Sequence, residues 1–141
     1  MKQHLYAFMN SFCQLCDEFA RILGAKILST TDEVCTVMFM RDINATILGR
    51  RTRSPLALPA MFSFECPDHR GRTLNLGEAV ILQEEINDFI SILRKHGILV
   101  TAFHNHWLFE DPRLMYIHFE SIDNPIDFAR KVAEALCVLR R

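Results

Sequence analysis

No apolar run in this chain approaches the ~20 residues of a membrane-spanning helix. Its opening stretch, MKQHLYAFMNSF, also lacks the unbroken apolar core of a secretory signal. These absences predict a cytoplasmic protein with no membrane partner. An excess of positive charge is missing as well. At a formal net charge of -1, the chain sets up no global field to attract nucleic acid or an anionic surface, so no nucleic-acid partner is expected. A matched cysteine framework is the third absence. The five cysteines, Cys13, Cys16, Cys35, Cys66 and Cys137, are odd in number and scattered, which predicts reduced thiols. Cys13 and Cys16 have C-x-x-C spacing, yet no second pair completes a zinc site. With Cys16 on an apolar helix stripe, packing is the expected role of these thiols.

What remains is ordinary globular material. The 141 residues are half hydrophobic and under a quarter charged, enough for one domain that buries ~68–70% of its unfolded surface. Apolar residues at three- and four-residue steps (Leu5, Phe8, Met9, Phe12, Leu15, Cys16, Phe19, Ile22, Leu23) predict a helix over 5–24, stopped by Gly24. From residue 33 the period changes to two, predicting strands over 34–40 and 45–48, then 60–66 and 73–82. The irregular stretch 49–59 carries Arg50, Arg51 and Arg53, read as a solvated loop with an anion-binding rim as the alternative. A second helix over 84–96 ends at Gly97. His96 suits its C-terminal end, and His69 reads as a solvated turn residue. Asn124 before Pro125 opens a third helix over 125–139, whose end Arg140 and Arg141 suit. Helix, four strands, helix, two strands, helix describes an α+β domain. An antiparallel or mixed sheet of about six strands is expected, with three helices mainly on one face.

Chemistry concentrates in residues 98–120, ILVTAFHNHWLFEDPRLMYIHFE, whose two strand-like runs flank a Glu-Asp-Pro-Arg turn in the manner of a β-hairpin. Alternation puts His104 and His106 on one face and His118 and Glu120 on one face. A turn centred on Pro112 sets His106 opposite His118 and His104 opposite Glu120, whereas a slip of one residue separates the pairs. In the first register, three imidazoles and a carboxylate suit a divalent transition metal, with zinc the default. Adjacent His104-Asn105-His106 does not match the nuclease class named for those residues, which spreads them over two strands and a helix. Glu78 interrupts the apolar row Leu74, Leu76, Val80, Leu82. In one reading it holds an edge position or a bulge at Gly77 swings it to water, and in the other it is a desolvated base or extra ligand.

The run LVTAFHNHWLFEDPRLMYIHF, preceded by LGEAVILQEEINDFISILRKHGI, resembles the bacterial domain-of-unknown-function family typified by the mycobacterial LppY and LpqO lipoproteins. The likeness is good from about Gly77 onward and looser before it. It implies motif positions at His104, Asn105, His106, Pro112, Arg113 and His118, with Glu78 matching an acidic residue after glycine. Glu120 falls outside those positions, and no lipoprotein signal is expected here. The resemblance supplies no reaction.

Two function classes follow. One is a metal-binding protein with His104, His106 and His118 as ligands, catalytic where Glu120 or Glu78 acts as base and Arg113 orients an anionic substrate. The other is a non-catalytic module whose same polar sheet face binds a small-molecule ligand or a second copy in a symmetric homodimer, with Tyr116 and the histidines as interface groups.

Overall fold

The helical period of the first residues ends at Gly24, whose φ of 62° is a left-handed turn that a Cβ would strain. The computed structural model describes residues 2–31 and 33–139, with the side chains of all of these except 5–10. In it this first helix is α1 (Lys2–Leu23), which buries Phe12, Cys16, Phe19 and Leu23. The expected burial of Leu5, Phe8 and Met9, and the helix-end role of Arg140 and Arg141, lie outside the described residues.

Six strands follow the period-two segments into one antiparallel sheet. They are β1 (Lys26–Thr30), β2 (Val34–Met40), β5 (Pro59–Glu65), β6 (Thr73–Leu82), β7 (Leu99–His104) and β9 (Leu114–Asp123), in the order β1-β2-β5-β6-β9-β7. A second, three-stranded sheet runs β4-β3-β8, built from β3 (Ala45–Ile47), β4 (Arg50–Thr52) and β8 (Glu110–Asp111). A 3-10 turn at Gln83–Glu85 leads into α2 (Ile86–Lys95), and Asn124 caps α3 (Pro125–Leu136) by accepting from the amides of Ile126 and Asp127. The α+β class, the antiparallel sheet and three longer helices thus stand as expected.

Three strands escape the sequence reading. Every residue of β1 is exposed, so this edge strand has no alternation to read. β4 lies inside the stretch taken as irregular, and β8 is only two residues long. The segment at 45–47 joins the small sheet, pairing with β4 and β8.

The large sheet is covered unequally. On one face the helices and strands enclose a core that includes Phe19, Phe62, Phe64, Phe89, Phe119 and Phe128. Gly77 is part of this face. A Cβ there would sit 2.1 Å from Cε2 of Phe119, so the missing side chain is what admits the Phe119 ring. The ladder runs through Gly77 without a register shift, which overturns the expected bulge. On the other face the small sheet covers one end only, packing Ile43, Ala45, Ala57 and Leu58 against Val80, Leu114 and Tyr116. Farther along that face Leu76 and Ile122 are exposed.

Two cross-links tie the layers together. Arg41, just past β2, donates from Nη1 and Nη2 to the Glu85 carboxylate at 2.8 and 2.7 Å, and from Nη1 to Val80 O at 3.0 Å. Glu85 also accepts from the amide of Leu82 at 2.8 Å, so this acid is a buried brace as well as a residue of the helix start. The second link corrects the expectation of reduced thiols. Cys16 on α1 and Cys35 on β2 form a disulfide with Cα atoms 5.7 Å apart, both fully buried. Sequence spacing could not show this pairing, because it forms across the helix–sheet interface. Cys13, Cys66 and Cys137 are free and exposed.

Alkylation of the native protein should therefore label three thiols, and all five only after reduction. Opening the bond, which closes a sequence separation of 19, should lower unfolding free energy by about 3 kcal/mol in denaturant titration. Five labelled thiols without reductant would remove the cross-link. Independently, Gly77→Ala should destabilise the fold by about 1–3 kcal/mol through overpacking at Phe119, whereas a neutral change would show that the ring has room to move.

Candidate metal centre

The site grows out of the β6–β9 ladder, where Glu78 lies opposite His118 on the face away from the helices. His118 Nδ1 is 3.6 Å from Glu78 Oε2, a contact just beyond hydrogen-bond length that sets the carboxylate beside this side of the ring. The opposite nitrogen, Nε2, is buried and has no hydrogen-bond partner among the described residues. A buried polar atom without a partner is uncommon, and an imidazole nitrogen held this way is available to a metal.

His104 is the last residue of β7, and it faces Tyr116, with Ala102 facing His118. The expected register, His106 opposite His118 and His104 opposite Glu120, is therefore corrected by four residues along the strand. An even shift preserves the face, which is why the histidines still converge. The cause is the connection. Residues 105–113 do not form a tight turn but cross to the small sheet and contribute β8. A register shift between Val100 and Ala102 adds Thr101 as the extra residue of a bulge. Before it the faces exchange, so Leu99 is exposed and Val100 packs against the core.

His106 leaves the strand and folds back onto Tyr116, the rings stacked at 3.8 Å and 6°. Tyr116 is itself fixed, donating its hydroxyl to Ala57 O at 2.7 Å. Burial pushes its pKa up to about 12, which keeps that donor protonated. The loop is clamped further as Asn105 Nδ2 donates to Trp107 O at 3.2 Å and Trp107 Nε1 to Leu56 O at 3.4 Å. Leu48, at φ 53°, donates its amide to the carbonyl of Phe109, at φ 59°, over 3.1 Å. Bulky residues seldom adopt such angles, so the pair marks a loop held by its surroundings.

One ring nitrogen from each of His104, His106 and His118 lies within 4.8 Å of the others. His104 Nδ1 sits 3.3 Å from Asn105 O, leaving its Nε2 for a ligand. Tetrahedral zinc sets nitrogen ligands about 3.3 Å apart, a contraction within reach of ring rotation at the exposed His104 and His106. Burial holds the His106 pKa below its ordinary value, with His104 and His118 acting the same way and Glu78 opposing. A neutral imidazole carries the lone pair that a metal takes.

Residues 17–138 match the family model DUF1529, described as Domain of Unknown Function (DUF1259). The chain belongs to this family. No curated protein and no solved structure matches the chain.

The fold of this DUF1259 chain gathers only part of the expected set. Glu78 joins the triad, through His118. Glu120 faces Leu76 and Leu99, two residues farther along β9, and lies outside the triad. Arg113 reaches towards Glu110 at 3.8 Å and lines a separate depression with Gln83, Glu84 and Asp111. His96 serves the helix end as expected, its Nε2 2.6 Å from Glu134 Oε2. Sequence reasoning missed Tyr116 as the platform under His106. Its signal was the strand alternation that set Tyr116 and His118 on one face.

Glu78→Gln should weaken zinc binding about 10- to 100-fold, read by competition with a chromophoric chelator, while the thermal unfolding midpoint stays near that of the parent. Undiminished affinity would take Glu78 out of the site.

Proposed function

We propose that this protein binds a divalent transition metal through His104, His106 and His118, with zinc the default ion, and that the centre is catalytic. The observation that carries the reading is the His118 side chain, with a carboxylate at one nitrogen and a buried, unpartnered second nitrogen beside two further imidazoles. That is the carboxylate–histidine–metal arrangement of known centres. Three protein ligands leave a coordination position open, as catalytic zinc sites do. A bound ion would supply a Lewis acid there. Glu78 orients His118, Tyr116 holds the His106 ring, and Glu120 is the free carboxylate nearest along the strand. Arg113, on its separate depression, supports no substrate role in this reading.

The His-Asn-His segment, the Glu-Asp-Pro-Arg turn and the strand histidine favour placing the chain with LppY/LpqO-like members of its family. No helix among the described residues is long and apolar enough to cross a membrane. The buried Cys16–Cys35 bond favours an oxidising compartment, and we adopt that in place of the cytoplasm. A second reading keeps the same face for a homodimer, favoured by the exposure of Leu99 and Ile122 beside the polar groups.

Elemental analysis of untagged protein decides between them. The expected result is one metal ion per chain, lost in His118→Ala and reduced at least about tenfold in affinity in His104→Ala or His106→Ala. A metal-free dimer that His104→Ala or Ile122→Asp dissociates in sedimentation would establish the second reading instead.

A further inference from the structure

Next to the triad, the uncovered sheet face is hollowed into a groove of about 350 Å³, at the small end of the ~300–1,000 Å³ range of ligand sites. His118 lines it, so groove and triad share a side chain. Met61 and Leu76 give it apolar surface, and Thr36, Ser63 and Thr101 add hydroxyl groups. The Glu120 carboxylate lines it too and makes no hydrogen bond or ion pair among the described residues. Glu78, also in the lining, is turned to His118. No lysine or arginine contributes to the lining. Apolar surface set with a few unengaged polar groups is the chemistry of a ligand site, and the sign of its charge disfavours an anion.

We propose that this groove binds a small hydroxylated amine of the amino-sugar or amino-alcohol class. The ammonium pairs with Glu120, the carbon frame lies against Met61 and Leu76, and an oxygen points to the metal position beside His118. Only that last contact rests on the metal reading. Glu120 and His118 stand two strand positions apart, roughly 7 Å, a span that a six-carbon frame covers. The specificity is the reverse of the anionic substrate that Arg113 suggested.

The test is a titration of the ¹⁵N-labelled full chain, zinc-free and zinc-loaded, with glucosamine, glucose and gluconate as probes. Glucosamine should shift the amides of Ser63, Leu76, Thr101 and Glu120 and bind about tenfold tighter than glucose, the scale of one charge-assisted hydrogen bond. Gluconate should leave those amides unmoved. Glu120→Gln should bring glucosamine to the level of glucose without weakening glucose. Zinc should tighten both. Equal binding of gluconate, a preference for glucosamine that survives Glu120→Gln, or no shift with any probe overturns the proposal. The two readings fail separately. A chain that prefers the amine but takes up no zinc loses the metal centre alone, and one that takes up zinc without preferring the amine loses the groove alone.

Discussion

The register between β6 and β9 is the constraint on which both halves of this molecule depend. It runs without a shift from Thr73 opposite Asp123 to Leu82 opposite Leu114. Two consecutive pairs in it serve opposite faces. Gly77 against Phe119 lets an aromatic ring into the helix-side core, and Glu78 against His118 sets a carboxylate on an imidazole outside. A slip of one residue would exchange the faces, exposing Phe119 and driving His118 into a core with no polar partner for it. Packing on the core side therefore fixes the geometry on the chemical side. The site needs no separate device to hold its most buried histidine.

The small sheet decides where that chemistry can lie. By covering Val80, Leu114 and Tyr116 it makes one end of the outer face a second core, and the Arg41–Glu85 pair braces the adjoining end of β2 against the turn that leads to α2. A buried ion pair is a weak source of net stability but strongly destabilising to break, so its effect here is to fix position. Val80 O, on the same strand as Glu78, accepts from Arg41. The triad stands where the cover stops. Tyr116 is beneath the small sheet, His118 is half-buried at its border, and Glu120 lies beyond it on the open groove.

Much of this was legible in the residues because the strong signals were local. Period and capping gave the three longer helices, alternation gave the long strands, and a period of two put His104 with His106 and His118 with Glu120, leaving register to decide whether the pairs meet. What could not be read was set by partners distant in sequence. β1 has no buried side to reveal it. Cys16 and Cys35 meet only once helix and sheet have packed. Residues 105–109 read as strand and 110–113 as a turn because the pairing of Glu110 and Asp111 with Ile47 and Thr46 leaves no trace in local pattern. The histidines converged in spite of that error, since the displacement was even, whereas its length of four residues took Glu120 away from His104.

The three histidines of the proposed centre differ in freedom, and that difference has consequences for what such a centre would do. His118 is fixed by a central ladder and by Glu78, whereas His104 ends an edge strand and His106 rides on a loop held by side-chain clamps. A metal bound by one fixed and two adjustable ligands would gather its geometry on binding, so part of the binding free energy would go to ordering residues 104–109. The same loop carries Phe109 and, through Leu48, touches the small sheet. In the proposed centre, metal occupancy would thereby be linked to the packing of that sheet against the large one, and a ligand in the groove would approach the ion from the rigid side, where His118 and Glu78 are already in place.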